Sequence, residues 1–200
     1  NYQYNNGDFS MNLGGNISMN DNKVVELSQG QDLFGVSLGL PISIPISLVR
    51  EGQPIGVFYA YKEAGINADG SIKYVDQNGD GAINAIDRVI IGDPNPDYIF
   101  GINSSMSYKN FGLSVVITGV QGNDVFNFNK SNVGDGFAFG INQMDEVKDN
   151  YWTSDNNNTN ADYGKISQYT RYDASDRHVE DGSYVKIQNL ELSYTFNQLD

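Results

Sequence analysis

The stretch YIFGINSSMSYKNFGLSVVITG, residues 98–119, consists of two runs in which apolar residues alternate with small polar ones. A period of two places successive side chains on opposite faces of a β-strand. The polar pair Lys109-Asn110 separates the two runs and predicts a tight turn. The sequence therefore predicts an antiparallel hairpin with one apolar face, which carries Tyr98, Phe100, Ile102, Met106, Tyr108, Phe111, Leu113, Val115 and Ile117.

This hairpin carries very little charge. Between Tyr98 and Phe128 the charged residues are Lys109, at the turn, and Asp124. The ten steps from Tyr98 to Tyr108 extend about 33 Å along a strand, which a tilt of about 45° projects to about 23 Å, close to the apolar band of an outer-membrane barrel. The pattern fits a membrane-crossing hairpin and also a half-buried strand pair in a soluble sandwich or barrel. The second interpretation explains the missing charges less well.

Further strands are predicted on both sides of the hairpin. Residues 9–20 alternate, and residues 23–27 have the pattern of a return strand after a polar turn at residues 20–22. A final strand is predicted at residues 183–196. Its apolar phase shifts between Ile187 and Leu190, which indicates a β-bulge.

Two long segments, residues 29–97 and 122–182, lie between these strands. The first contains a short aromatic strand at residues 57–61. The second loses the regular pattern and is rich in Asn, Asp, Gly and Tyr, with one short helix predicted at residues 142–149. The second segment is long for a compact domain with so little regular structure, which is typical of a functional loop.

The loop DQNGDGAINAID, residues 76–87, has the spacing of a calcium-binding loop. Oxygen-bearing side chains occupy loop positions 1, 3, 5, 9 and 12, and Gly81 lies at position 6, where such a loop turns sharply. Calcium prefers six to eight oxygen ligands, which this spacing can bring to one point. The candidate ligands are Asp76, Asn78, Asp80, the backbone carbonyl of Ala82, Asn84 and Asp87.

Other interpretations of this loop stay open. Position 12 is Asp87, whose short side chain makes bidentate ligation less assured than glutamate would, and Asn, Gly and Asp also dominate ordinary turns. The spacing resembles a dockerin repeat as well, so a secreted calcium-binding interaction module is the alternative function. A dockerin needs a helix after each loop and usually a second copy, whereas the prolines at Pro94 and Pro96 block a helix and no duplicate occurs.

The composition restricts the possible functions. The chain has 12 basic and 25 acidic residues, and its formal charge of −13 repels nucleic acid. The absence of cysteine excludes a disulfide framework and a thiol nucleophile. The single His178 lies in a polar stretch and is predicted to be exposed and structural. Because no nucleophile motif of a known kind is present, we predict no enzymatic activity.

Three aromatic residues are candidate ligand contacts. Tyr59, Tyr61 and Trp152 carry rings that could stack on sugar rings. Buried or interface aromatics are the more common case, because such rings supply large apolar surfaces.

Six sequence blocks follow one another along the chain. They are EGQPIGVFY at 51–59, YVDQNGDG at 74–81, DR at 87–88 with IGDP at 91–94, YKNFGL at 108–113, GVQGND at 119–124 and DGSYVKIQNL at 181–190. In this order they resemble the later barrel region of the SusC/RagA family, the TonB-dependent outer-membrane transporters of the Bacteroidetes type. The resemblance covers roughly residues 9–196.

The resemblance implies an all-β fold that is part of a large antiparallel transmembrane β-barrel of about 22 strands with long extracellular loops. Residues 1–200 would form a partial barrel domain with strands near 9–28, 98–128 and 183–196. The plug domain of a full member is absent from these residues, so we expect a piece of a longer protein. Because so few strands cannot close a barrel and would leave unpaired edges in lipid, we expect no stable monomer.

The resemblance also implies a location and partners. Outer-membrane barrels have short periplasmic and long extracellular connections, so Lys109-Asn110 and the turn at residues 20–22 are expected on the periplasmic side. The family relationship implies contact with outer-membrane lipid and import of oligosaccharides or peptides. It further implies a SusD-like surface lipoprotein as partner and a TonB complex that acts through the plug. A calcium ion would then hold an extracellular loop in one shape.

Overall fold

The computed structural model describes residues 1–37, 39, 42, 44–133, 142–155, 161–166 and 173–196. The chain is organised as two compact units. Unit 1 comprises Asn1–Asp21, Pro96–Asn123 and Gly182–Asp200, and unit 2 comprises Asn22–Asn95 and Asp124–Asp181.

The predicted all-β fold is confirmed, because nearly all regular structure in the described residues is antiparallel strand. The strands are β1 Tyr2–Asn6, β2 Phe9–Ser18, β3 Leu33–Phe34, β4 Ser47–Val49, β5 Val57–Ala60, β6 Glu63–Ile66, β7 Ile72–Tyr74, β8 Val89–Gly92, β9 Tyr98–Tyr108, β10 Phe111–Gln121, β11 Asp124–Phe126, β12 Val179–Asp181 and β13 Tyr184–Tyr194. The described residues also contain two short α-helices, α1 Phe128–Val133 and α2 Asp145–Lys148. No helix among the described residues has the length and apolarity needed to cross a membrane.

Unit 1 is a five-stranded antiparallel sheet in the order β1-β2-β9-β10-β13. The predicted hairpin is confirmed, since β9 and β10 pair from Tyr108↔Phe111 to Tyr98↔Gln121 without a register shift. The predicted bulge in the last strand is confirmed too. Asn189 pairs with Val116 and Ile187 with Ile117, which leaves Gln188 as the extra residue.

The second predicted hairpin was wrong. Residues 23–27 form no strand, and the neighbours of β2 are β1 and β9. Val24 instead makes backbone hydrogen bonds with Gly52 and Gln53 in unit 2, each 2.9 Å long. The tight turn of β2 lies at its beginning, at Gly7-Asp8, rather than at residues 20–22.

The part of unit 2 that the structure describes contains three small sheets. The largest has the order β3-β4-β5-β8, and the pairs β6-β7 and β11-β12 form the others. The predicted aromatic strand corresponds to β5, and the predicted helix corresponds to the shorter α2. Two buried clusters hold the unit together. One contains Ile66, Ile72, Trp152 and Ala161, and the other contains Ile42, Ile46, Ala60 and Ala174.

We predict that Val57→Ala lowers the free energy of unfolding of unit 2 by about 2 kcal/mol. Val57 is only 1% exposed, so truncation removes buried methyl groups and leaves a cavity. The matched control is Val25→Ala, since Val25 is 88% exposed and should change stability by less than about 0.5 kcal/mol. Denaturant unfolding of the purified protein in detergent measures both, and equal effects would contradict this assignment of the core.

Candidate functional site

The first candidate site is the apolar face of unit 1, which spans all five strands. The register places on one face the side chains of Tyr2, Tyr4, Phe9, Met11, Leu13, Ile17, Tyr98, Phe100, Ile102, Met106, Tyr108, Phe111, Leu113, Val115, Ile117, Val185, Ile187, Leu190, Leu192 and Tyr194. No charged residue lies on this face of the described strands. Leu190 is 65% exposed and Leu192 is 76% exposed. A contiguous exposed apolar surface of this kind marks a partner or a membrane.

An aromatic row borders this face at the end with the short turns. Phe9, Tyr108, Phe111 and Tyr194 are paired in register across four neighbouring strands. The rings of Phe111 and Tyr194 lie 4.8 Å apart at 60°. Lys109 extends its Nζ to 5.5 Å from the ring of Tyr108. Aromatic residues with a flanking cation are typical of the interface between hydrocarbon and water.

The opposite face of unit 1 is polar and nearly neutral. Its polar residues are Gln3, Asn5, Ser10, Asn12, Asn16, Asn103, Ser105, Ser107, Ser114, Thr118, Asn189 and Ser193. The larger apolar or aromatic residues Ile99, Val116, Val120 and Tyr184 share this face. The hydroxyls of Ser10 and Ser107 lie 2.7 Å apart across β2 and β9. In the described strands its charged residues are Lys186 and Glu191, both on β13. Such a face can form hydrogen bonds with water or with an uncharged polar ligand.

The second candidate site is the loop at residues 76–87 in unit 2. Asp76 accepts hydrogen bonds from the backbone N–H of Gly79 at 2.7 Å and of Gly81 at 2.8 Å. Asp80 accepts one from the N–H of Ala82 at 2.8 Å. Gly81, at the predicted sharp turn, has a φ of +82°, which a residue with a Cβ adopts only with strain. The backbone of this short loop is therefore held in its turns by hydrogen bonds to its own aspartate side chains.

Asp87 closes the loop from a buried position. Its two carboxylate oxygens accept the N–H of Gln77 at 2.9 Å and the N–H of Asn84 at 2.8 Å. The N–H of Asn84 is the main cause that lowers the pKa of Asp87, against the opposing effect of desolvation. A lowered folded-state pKa stabilises the loop above the ordinary aspartate value of about 3.8. That stabilisation is lost as the pH falls through the lowered pKa.

The loop contains the right atoms for a calcium ion, although it does not collect its carboxylates into one cluster. Among the described residues, no three His, Cys, Asp or Glu side chains form a metal-binding group. A carboxylate oxygen has more than one lone pair, so Asp76, Asp80 and Asp87 can accept a backbone N–H and still contact a cation. The amide oxygens of Asn78 and Asn84 and the carbonyl of Ala82 supply the same hard donor type.

The predicted aromatic ligand residues are not brought together as one exposed surface. Trp152 and Tyr61 are buried, at 8% and 6% exposure, and Trp152 belongs to the cluster with Ile66, Ile72 and Ala161. Tyr59 is half-buried, and the guanidinium of Arg50 lies 5.0 Å from the centre of its ring. Their role in ligand binding stays a prediction, and their packing accounts for Trp152 and Tyr61 as core residues.

A buried polar network in unit 2 was missed by the sequence reasoning. One oxygen of Glu63 accepts hydrogen bonds from the Ser175 hydroxyl at 2.6 Å and from Nε of Arg177 at 2.7 Å. The other accepts a second guanidinium bond from Arg177 at 2.8 Å. This bidentate pair joins β6 to residues 175–177. A charge pair with most of its surface removed from water needs such complete hydrogen bonding.

His178 belongs to the same region, and its predicted exposure was wrong. The side chain is fully buried. Its ring stacks on Phe126 with 5.5 Å between the centroids, and its Nδ1 lies 3.2 Å from the backbone nitrogen of Ser175. The preceding residue, Arg177, pairs with Glu63 of β6, whereas the imidazole of His178 packs against Phe126 of β11.

Comparison with known proteins identifies relatives along nearly the whole chain. No family model matches. TonB-dependent receptor P3 of Formosa agariphila is 32% identical over 206 residues, covering 94% of this chain and 20% of that protein. TonB-dependent receptor SusC of Bacteroides thetaiotaomicron is 29% identical over 203 residues, covering 96% of this chain and 19% of that protein. The chain thus spans about one fifth of the length of these curated relatives.

The fold is similar to that of a solved transporter. The structure of the RagAB peptide transporter matches 96% of this chain and 21% of its own chain, with a TM-score of 0.76 and 22% sequence identity. The RagAB peptide importer in its open-open state matches with a TM-score of 0.74. At this identity the likeness concerns the fold.

We predict that Asp87→Asn loosens the loop at residues 76–87. The amide keeps one acceptor oxygen in place of two, so one of the N–H groups of Gln77 and Asn84 loses its partner. Hydrogen-deuterium exchange at neutral pH should become faster in peptides that cover this loop. Asp21→Asn, at an exposed aspartate, is the control. Unchanged exchange in Asp87→Asn would contradict the closing role of this carboxylate.

Proposed function

The chain is a relative of the SusC-type TonB-dependent receptors, and we propose that it forms part of the β-barrel of an outer-membrane nutrient importer. The observation that carries the proposal is the uncharged, exposed apolar face of unit 1. A soluble protein rarely exposes an apolar surface of five strands. Lipid is the solvent that such a face fits.

The two faces of the sheet match the two environments of a membrane barrel. Barrel strands alternate apolar residues toward lipid with polar residues toward the lumen. Under the proposal, the face that contains Leu190 contacts lipid, and the neutral face that contains Asn103 lines the interior. The aromatic row at Phe9, Tyr108, Phe111 and Tyr194 would lie at the level of the lipid headgroups.

The ends of the strands support a direction of insertion. Gly7-Asp8 and Lys109-Asn110 form the short turns at one end of the sheet. The long connections at residues 19–97 and 122–183 leave from the other end. Because outer-membrane barrels have short periplasmic turns, Lys109-Asn110 is assigned to the periplasmic side. The prediction that residues 20–22 share one side with Lys109-Asn110 was wrong, since residues 20–22 follow the opposite end of β2.

The substrate and the partners are part of the proposal. RagAB is named a peptide transporter, and the relatives are named TonB-dependent receptors. We propose import of oligosaccharides or peptides, a SusD-like lipoprotein as partner, and energy supply by a TonB complex through a plug domain. The acidic net charge of −13 gives nucleic acid no basis for binding.

The alternatives have less support. The relatives are receptors and transporters rather than enzymes or dockerins. The loop at residues 76–87 ends in a single 3₁₀ turn at Ala85–Asp87, and strand β8 follows directly. A dockerin would need a helix at that point. We therefore propose that this loop is a structural support of unit 2, which a calcium ion would reinforce by neutralising its aspartates.

We predict that Leu190→Lys weakens assembly into a bilayer by about 2–4 kcal/mol, the usual cost of a lysine at the midplane of a membrane barrel. Leu190 lies about halfway along β13 and pairs with Val115 of β10. Asn189→Lys is the matched control, because Asn189 is the next residue and faces the other side. Assembly of the full-length receptor in lipid vesicles, followed by protease resistance, measures the difference.

The same pair of variants tests the soluble alternative. Leu190 is already 65% exposed, so in a soluble protein a lysine there would cost little and would improve solubility. If Leu190→Lys and Asn189→Lys assemble equally well, the lipid-facing assignment is wrong.

We predict that calcium binds the loop and that Asp80→Ala weakens the binding at least about tenfold, since loop affinity depends on the number of charged ligands. Isothermal titration with calcium measures both proteins. Asp69→Ala is the control, because Asp69 accepts hydrogen bonds from Ser71 outside this loop. Equal heats for Asp80→Ala and the wild type would remove the proposed calcium site.

A further inference from the structure

The sequence contains two Asn-Gly pairs, Asn6-Gly7 and Asn78-Gly79. This dipeptide is open to spontaneous deamidation, because glycine has no Cβ to shield its backbone nitrogen or restrict its rotation. The two pairs lie in different units and in different hydrogen-bonding surroundings. Their fates in the folded protein should therefore differ.

The reaction depends on the backbone nitrogen of the glycine. After losing its proton, this nitrogen attacks Cγ of the asparagine side chain, a C–N bond forms, and the side-chain nitrogen leaves as ammonia. Water then opens either C–N bond of the resulting succinimide and yields aspartate or isoaspartate. The net change is loss of ammonia and gain of water, with no oxidation or reduction. Whatever holds the glycine N–H or the asparagine side chain therefore slows the reaction.

Both reacting groups of Asn78-Gly79 are held. The N–H of Gly79 donates to the carboxylate of Asp76 at 2.7 Å. The side-chain oxygen of Asn78 accepts the N–H of Asp80 at 3.0 Å, and its Nδ2 donates to a carboxylate oxygen of Asp80 at 2.9 Å. Deprotonation of Gly79 would create a negative charge beside the Asp76 carboxylate, which like-charge repulsion opposes.

The groups of Asn6-Gly7 are more open. Both residues are exposed, Asn6 as the last residue of β1 and Gly7 as the first residue of the tight turn that follows. Gly7 has a φ of +58°, and no atom lies within 4 Å of the position a Cβ would take. Among the described residues, no backbone acceptor is paired with the Gly7 N–H. The Asn6 side chain makes a 3.3 Å bond through Nδ2 to the Tyr4 hydroxyl, which leaves its carbonyl carbon approachable.

We propose that Asn6-Gly7 is a site of spontaneous deamidation, and that the Asp76 carboxylate protects Asn78-Gly79 from the same reaction. Isoaspartate at position 6 lengthens the main chain by one methylene at the last residue of β1, directly before the two-residue turn Gly7-Asp8. Because the turn sets the register of a hairpin, this product loosens the pairing of β1 with β2. The exposed turn thereby becomes the chemically labile point of unit 1.

The test is peptide mapping by mass spectrometry after incubation of the folded protein in detergent at mildly alkaline pH. The exchange of side-chain NH₂ for OH gives a small mass increase, and chromatography separates isoaspartate from aspartate. Conversion at Asn6 should be at least about ten times faster than at Asn78, since a hydrogen bond to a charged acceptor is worth more than one tenfold step. Equal rates, or faster conversion at Asn78, would overturn the proposal.

Variants separate the protecting group from general looseness of the loop. Asn6→Gln should abolish conversion at position 6, because its longer side chain must form a six-membered ring. Asp76→Ala should raise the rate at Asn78 at least about tenfold. Asp76→Asn keeps an acceptor oxygen without the charge and should give an intermediate rate even where the alanine variant unfolds the loop. An unchanged rate at Asn78 in both Asp76 variants would refute the protective role.

Discussion

The antiparallel ladder between β9 and β10 is the interaction on which unit 1 depends. It runs without a shift from the turn at Lys109-Asn110 to Tyr98↔Gln121, and β2 and β13 add to its two edges. The side-chain period of a strand is two, so a slip of one residue would exchange the apolar and polar faces. The strands that flank this ladder must therefore enter in phase with it.

The bulge at Gln188 shows how this phase is kept. Ile187 and Leu190 are three residues apart, so an unbroken strand would place them on opposite faces. One extra residue opposite Val116 and Ile117 brings both onto the apolar face. The same residue leaves Lys186 and Glu191 together on the polar face. A local irregularity thus preserves the separation of charge from the apolar surface across the whole strand.

Local sequence patterns predicted the β9-β10 hairpin because a two-residue turn brings residues that are close in sequence into contact. The β9-β10 hairpin and the bulge could both be predicted from alternation alone. The pairing of β2 with β9 could not be predicted, since the paired residues lie from 81 positions apart at Ser18↔Ile99 to 99 positions apart at Phe9↔Tyr108, and residues 23–27 offered a nearer alternating run. That run is used elsewhere, by the bonds of Val24 to Gly52 and Gln53.

The candidate sites likewise divide into features that depend on local contacts and features that depend on residues distant in sequence. The spacing of residues 76–87 predicted a calcium-binding loop with a sharp turn at Gly81. The turn is present because the contacts of this loop are local, and calcium binding stays a prediction. The burial of His178 was not predictable, because it depends on Phe126 from a distant strand, and the Glu63–Arg177 pair joins residues 114 positions apart. The residues next to His178 in the sequence include Arg177 but neither its partner Glu63 nor Phe126, so they do not reveal these contacts.

The distribution of charge between the units gives the physical reason for their different construction. Unit 1 contains five acidic and two basic residues, a net charge of −3, whereas unit 2 contains 20 acidic and ten basic residues, a net charge of −10. Charge is costly in hydrocarbon and favourable in water, so a sheet with an apolar face must keep its charges few and place them at turns or on the polar side.

The long connections carry no such restriction. They fold through ion pairs such as Arg50–Asp32 at 2.7 Å, through buried hydrogen bonds to Asp87, and around small apolar clusters. The density of charged residues thus changes along the chain where the long strands of unit 1 end and the connections of unit 2 begin.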